Sequence, residues 1–232
     1  MIVAYISREY KFLFLSAPAT GSSAVIRSFE EKEIGEYYPA DDIVEDGKRV
    51  APRKHTSIRQ LEISGLLAPV ADYFRFVGIR NPFSWHVAKY LRNKVTRSKQ
   101  ARDPKSWINK LPEVDKKRYI AQLRRQEKMT FEEFIFSSLE KKQPFAPQAD
   151  FHIGMDFFLH QERLEKDMDE VKARLQLPAD LSVPLFNVTN AMEEDKTYRD
   201  FYDERLVDLV YEKNKPFFDR FPEYSFDGLS NR

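Results

Sequence analysis

Cysteine is absent from the 232 residues. That excludes disulfides and thiolate metal sites, and it is compatible with a reducing compartment. No apolar run approaches the roughly 18 residues of a membrane-spanning helix, and no basic-then-apolar leader opens the chain. The sequence is therefore expected to be soluble and unanchored. Net charge is nearly absent too. Lys and Arg number 38 against 37 Asp and Glu, leaving +1, which argues against nucleic-acid binding through bulk charge. The four histidines, His55, His86, His152 and His160, lack the spacing of metal ligands, so no metal is expected. Internal repeats and low-complexity segments are also missing.

What is present is a chain long enough for one large domain or one and a half small ones, with a sizeable core. Aromatic residues make up 14 % of it. Its charge is uneven: residues 89–128 hold fourteen Lys or Arg and four Asp or Glu. Such a run is either a solvated helical face or a surface that attracts an anionic substrate.

The chain is organised around residues 11–29. Lys11 to Leu15 read as a buried strand, Ser16 to Ser23 as a loop of small and hydroxylated residues, and Ala24 onward as a helix with Val25, Ile26 and Phe29 on its apolar side. Strand, tight loop and helix place backbone N–H groups around an anion. Gly21 permits close approach, and Thr20, Ser22 and Ser23 add hydroxyls. A phosphate or sulfate suits this loop; an ordinary strand–helix turn with a serine cap is the alternative.

Ile2 to Ile6 form a first strand in a hairpin with the second. Residues 33–53 show little periodicity and read as a long excursion. Thr56 or Ser57 caps a helix carrying Ile58, Leu61, Ile63, Leu66 and Leu67. Tyr73 to Ile79 form a compact apolar strand that runs into Arg80-Asn81-Pro82. Asn at the cap and Pro at the first helical position predict a helix start, with Phe83, Val87, Tyr90 and Leu91 on one side. Thr130 to Glu133 have capping-box spacing. Met155 to Leu159 predict a third strand and Arg163 to Leu177 a helix. Tyr198 to Lys215 predict a last long helix stopped by Pro216, followed by a tail, Phe217 to Asn231, that is extended or loose. Strands alternating with helices favour an α/β fold around a parallel sheet, where ligands sit beyond the strands' carboxyl ends. If the strands before the 16–23 loop and before Arg80 are neighbours, both sites face one crevice.

These residues resemble the PAPS-dependent sulfotransferases, in particular the carbohydrate sulfotransferases and their small bacterial relatives. Tyr5-Ile-Ser-Arg-Glu-Tyr-Lys-Phe-Leu-Phe-Leu-Ser-Ala-Pro-Ala-Thr-Gly-Ser-Ser23 is similar to the family's opening hairpin and 5′-phosphosulfate loop. Lys54-His55-Thr56 is similar to its Lys-His-Thr segment. Phe76-Val-Gly-Ile-Arg-Asn-Pro-Phe-Ser-Trp-His-Val-Ala-Lys-Tyr90 resembles its 3′-phosphate strand and helix. Phe157 to Leu164, followed by Asn187, resembles its later strand–helix and Asn-containing loop. Two positions depart from the family: Ala19 stands where a lysine normally follows the loop proline, and Ala88 where a serine normally follows the arginine by eight residues.

The resemblance implies a P-loop-like three-layer α/β fold, with a central, mainly parallel sheet flanked by helices. It implies one domain over residues 1–232, in which 89–150 form a mostly helical, basic insertion on the substrate side. It also implies transfer of a sulfuryl group from PAPS, leaving PAP, to a hydroxyl or amine of a glycan or small alcohol. Ala19, Thr20, Gly21, Ser22, Ser23, Arg80 and Ser84 would bind the nucleotide, with Ser84 replacing the hydroxyl missing at Ala88. His55 would be the general base, titrating near neutral pH. Lys54 would stabilise the leaving group in place of the missing lysine, while His86 is structural. Nucleic acid and membrane are not expected partners. A cytoplasmic location is expected, since the family's Golgi members carry an anchor. A relative that binds the nucleotide without turnover is the alternative, motivated by Ala19. A P-loop kinase is disfavoured because no second glycine or lysine completes its loop pattern.

Overall fold

The strands are short and apolar on both sides, as expected where both faces of a sheet are covered. The computed structural model describes residues 4–41, 43–45, 48–51, 56–139, 152–184 and 195–230. They fall into two units: Met1–Arg80 with Ala146–Asn187, and Asn81–Phe145 with Val188–Arg232.

In the first unit, β1 (Ala4–Ser7) and β2 (Phe12–Leu15) form the expected hairpin, Ala4 opposite Leu15 and Ser7 opposite Phe12. Helix α1 (Ser22–Glu31) follows. The excursion after it is not featureless: β3 (Glu36–Tyr38) adds an antiparallel edge strand to β1, and β4 (Ile43–Glu45) pairs with β5 (Lys48–Ala51). Three-residue strands carry too little periodicity to be read locally; pairing with β1 makes β3 a strand. Helix α2 (Ile58–Ile63) starts at Ser57, whose side chain and Gln60 form a reciprocal capping box. It ends before Leu66 and Leu67, where the Ser64 hydroxyl donates to the Gln60 carbonyl at 2.8 Å and Gly65 turns the chain.

Strand β6 (Phe74–Ile79) lies parallel to β2, and β7 (Phe157–His160) parallel to β6, giving the order β3-β1-β2-β6-β7. The α/β expectation holds: the sheet is parallel at its centre and antiparallel at one side. Helix α7 (Leu164–Leu175) follows β7. Tyr5, Phe12, Phe14, Phe76 and Leu159 pack in one core with Val25, Ile26 and Phe29 of α1 and Met168 and Val171 of α7. Phe29 is its hub, with ring centres 5.0 Å from Phe12 and 5.8 Å from Tyr5. Alternate residues Ile6, Leu13, Leu15, Val77 and Ile79 are equally buried.

The second unit is helical apart from a small ribbon. Helix α3 (Pro82–Leu91) starts where the Asn-Pro signal puts it, with Asn81 Oδ1 accepting from the Phe83 N–H at 3.0 Å. It is not one-sided: Ser84, Trp85, His86 and Ala88 are buried along with Phe83, Val87, Tyr90 and Leu91. A π-helical turn (Arg92–Arg97), α4 (Ser98–Arg102), α5 (Glu113–Lys128) and α6 (Phe131–Leu139) come next. The Thr130–Glu133 box is formed in both directions, at 2.8 and 3.2 Å. The expected last long helix is divided: a 3₁₀ turn (Tyr198–Phe201), α8 (Glu204–Lys213) and α9 (Lys215–Arg220). Pro216 sits in the first turn of α9, where its missing N–H costs nothing, so it opens a helix instead of closing one. The tail is not loose either. It forms β8 (Tyr224–Ser225) and β9 (Gly228–Leu229), tied to the start of α3 by Asn81 Nδ2 donating to the Ser225 carbonyl at 2.8 Å. Among the described residues, no helix is long and apolar enough to cross a membrane.

Candidate active site

The three parallel strands end side by side. β2 opens into the loop 16–21, its neighbour β6 ends at Arg80, and β7 ends at His160, which is in register with Ile79. The condition that the first two strands be adjacent is met.

The loop is folded tightly on itself. Ala19 and Gly21 both have positive φ, 59° and 80°. The Thr20 and Ser22 hydroxyls lie 2.6 Å apart, and both reach the Ala17 carbonyl, at 3.0 and 3.1 Å. Both side chains are buried, so they brace the loop from inside. Its outer surface is left to the half-exposed Ala19, Gly21 and Ser23 and to the backbone. The first turn of α1 holds no acidic residue, so the helix start presents its partial positive charge undiminished. Ser16, at the root of the loop, is 1 % exposed, and among the described residues its hydroxyl has no hydrogen-bond partner. A buried hydroxyl left unpaired costs about 1–3 kcal/mol, so it is poised to accept a partner.

Two glycines make the loop possible. A Cβ on Gly78 of β6 would lie 2.5 Å from Thr20 Oγ1, so the loop packs directly over this strand. Gly21 combines its positive φ with a packing need: a Cβ there would meet Leu164 Cδ2 at 2.9 Å. Its freedom therefore serves the contact with the start of α7 as well as access to the loop backbone. Gly78 was missed as a site residue. A lone glycine inside an apolar strand is the signal of close backbone approach that could have found it.

Arg80 is half-buried and donates from Nη1 to the Ala19 carbonyl at 3.3 Å. Loop residues 19–23 and Arg80 are thus brought together. Ser84 belongs to the second unit; its hydroxyl donates to the Asn81 carbonyl at 3.2 Å, within the first turn of α3. Lys54 and His55, with Asn187, lie outside the described residues. His86 is fully buried and pushed down to about 3, by burial first and Lys89 second, which keeps it neutral as a structural residue should be.

A second missed feature sits at the end of β7. Asp167, 3 % exposed, accepts the His160 peptide N–H at 2.6 Å and lies 2.7 Å from His160 Nδ1 and 2.9 Å from Arg163 Nε. One carboxylate in α7 thereby holds the segment 160–163 that borders Gly21. The 163–167 spacing is that of one helical turn, but nothing in the sequence marks Asp167 as buried.

Chemically, the mouth of the parallel strands offers a bent loop, a helix start, an unpaired hydroxyl and a guanidinium, all of them donors. That is a set for oxyanions. No curated protein and no solved structure matched the chain. A family model described as the sulfotransferase family matches residues 4–225, which takes in both units and every element of this mouth. With nearly the whole length matched in order, the chain belongs to the sulfotransferase family.

Proposed function

We propose that this transferase moves the sulfuryl group of PAPS to a hydroxyl or amine of an acceptor, releasing PAP. The observation that carries the reading is the contact of Arg80 with the 16–21 loop across the neighbouring ends of β2 and β6. The donor set suits a ligand with two anionic ends. The backbone N–H groups of residues 19–23, with the Ser16 and Ser23 hydroxyls, take the 5′ end; Arg80 takes the 3′-phosphate as a fork of donors.

Sulfuryl transfer needs positioning, an in-line nucleophile and donors for the charge that develops on the leaving phosphate. The bond from sulfur to the phosphate oxygen breaks as the bond to the acceptor oxygen or nitrogen forms. His55 takes the acceptor proton, and Lys54 stabilises the leaving oxygen where the family lysine is replaced by Ala19. The acceptor is a small molecule or glycan, and residues 1–232 work as one domain with 89–150 as its acceptor-facing part. The enzyme works in the cytoplasm.

Ala19 also supports a second reading, a relative that binds PAP without turnover, because a methyl group cannot replace an ammonium. Calorimetric titration with PAP, paired with transfer of label from PAPS across an acceptor panel, separates the two. Binding with turnover supports the enzyme, and binding without turnover supports the second reading. Absence of PAP binding refutes both.

A further inference from the structure

Asp167 carries a carboxylate into the interior of the first unit. It is 3 % exposed, lies in the first turn of α7 and precedes the core residue Met168. Taking a carboxylate out of water is costly, and apolar side chains of similar volume often replace a buried ion pair without loss of stability. Stability alone therefore does not account for an acid here.

Its contacts lie on the chain just before its own helix. Oδ2 accepts the His160 peptide N–H at 2.6 Å and lies 2.7 Å from His160 Nδ1. Oδ1 lies 2.9 Å from Arg163 Nε, and Arg163 Nη2 lies 3.1 Å from His160 Nδ1. Residues 160, 163 and 167 thus close a ring of contacts around the 3₁₀ turn Gln161–Arg163. Among the described residues, neither this turn nor α7 has a side-chain cap. Asp167 reaches back and fixes the turn from the helix that follows it.

The turn bears on the loop. A Cβ at Gly21 would meet Leu164 Cδ2 at 2.9 Å and Gln161 Cγ at 3.7 Å, so both side chains lie over the Gly21 backbone. Gly21 is where α1 begins: its φ is 80°, and its carbonyl accepts from the Ala24 N–H at 2.8 Å. A displacement of residues 161–164 is therefore felt at the helix start, where backbone N–H groups have no intrahelical partner.

We propose that Asp167 is a positioning residue for the 16–21 loop. Through Arg163 and the His160 peptide it sets Gln161 and Leu164 against Gly21, and so sets the affinity for the 5′ end of the nucleotide. This deepens the transferase reading above and rests on it. A carboxylate that merely suits a helix N-terminus would alter stability and leave the ligand affinities of the folded protein unchanged.

The test is calorimetric titration of the full chain with PAP, adenosine 5′-monophosphate and adenosine 3′-monophosphate. Asp167→Asn keeps the side chain's size but removes the charge that pairs with Arg163. It should weaken PAP and the 5′-monophosphate by about fivefold or more, as for residues of one network, and the 3′-monophosphate by less than about twofold. Leu164→Ala removes the contact with Gly21 while Asp167 stays, and it should show the same selectivity. Asp169→Asn is the control. Asp169 lies on the same helix, its side chain is 70 % exposed and it pairs with Lys172. Amide hydrogen exchange without ligand gives a second measurement: Asp167→Asn should speed exchange at residues 16–23 and leave β2 and β6 unchanged. Unchanged 5′ affinity in either Asp167→Asn or Leu164→Ala overturns the proposal. So does an equal loss for both monophosphates, an equal effect of Asp169→Asn, or unchanged exchange at residues 16–23. A wild type that binds no PAP removes the PAPS reading. Faster exchange confined to residues 16–23 in Asp167→Asn then still upholds the positioning role, and its absence removes that role too.

Discussion

Gly78→Ala offers a direct test of how the 16–21 loop is held. The added Cβ would stand 2.5 Å from Thr20 Oγ1, 3.0 Å from Thr20 Cβ and 3.1 Å from the Thr20 carbonyl oxygen. None of these atoms is a yielding side-chain end. Oγ1 is tied to the Ala17 carbonyl and to Ser22, and the carbonyl is backbone. The loop must therefore lift off β6. Overpacking of this kind costs about 1–3 kcal/mol, and replacing a strand glycine by alanine returns about 0.5–1 kcal/mol. The net loss, up to about 2.5 kcal/mol, should lower Tm by up to roughly 10 °C in a chain of this size. PAP binding should also weaken, because the loop backbone N–H groups are displaced from the ligand, each lost charge-assisted hydrogen bond costing about 1.5–3 kcal/mol. Thr20→Ala removes the closest atom, so the double variant should recover part of both losses, with a coupling of at least about 0.5 kcal/mol. Urea unfolding and calorimetric PAP binding are the assays. A Gly78→Ala protein with wild-type stability and PAP affinity would refute the argument, and so would strict additivity with Thr20→Ala.

Arg80→Ala should weaken PAP binding by about 1.5–3 kcal/mol, or roughly 10–150-fold, with the fold intact by circular dichroism; unchanged calorimetric affinity removes Arg80 from the phosphate site. Asp167→Ala removes the acceptor of the His160 peptide N–H and the carboxylate that pairs with Arg163. It should cost at least about 2 kcal/mol in urea unfolding, below the roughly 3–5 kcal/mol of a fully buried pair because the Arg163 side chain is 32 % exposed; a loss under 0.5 kcal/mol, about that of an ordinary surface change, counts against the arrangement. His86 has its folded pKa pushed down from 6.5 to about 3, so the unfolded chain takes up its proton first as pH falls. Its contribution is fully present above the unfolded value and is lost at about 1.4 kcal/mol per pH unit between 6.5 and 3; an acid limb of the same steepness in His86→Phe rules this out.

Helix starts were legible because their signals are local. Asn81 before Pro82 and Thr130 with Glu133 satisfy orphan N–H groups within one turn, as their residues suggest, and of the two candidates Thr56 and Ser57 it is Ser57 that caps, with Gln60. The central strands were legible because both faces are buried, leaving unbroken apolar runs. The errors fall where a partner distant in sequence decides. β3 is three residues long and exists through β1. The tail becomes a ribbon because Ser225 has Asn81 to bond to. Pro216 misled for a different reason: proline forbids a helix interior but suits a first turn, and only the break at Asn214 distinguishes the two.

The candidate site divides along the same line. Ser16 to Ser23 and Arg80 could be picked out by residue type, yet their joint use depended on β2 and β6 being neighbours, which is a fact of sheet order. The hydroxyls show the limit of residue-type reasoning most clearly. Thr20, Ser22 and Ser23 look alike in sequence as donors to an anion. In the folded loop the first two are turned inward onto the Ala17 carbonyl, while Ser23 remains half-exposed. Ser16, which sequence reasoning treated only as the loop's first residue, is the loop hydroxyl left buried without a partner among the described residues. In the proposed nucleotide site the oxyanion is therefore met mainly by the loop's backbone, shaped by Gly21 and Gly78. A substitution that keeps every hydroxyl but displaces the backbone should therefore be more damaging than one that removes the hydroxyl of Ser23.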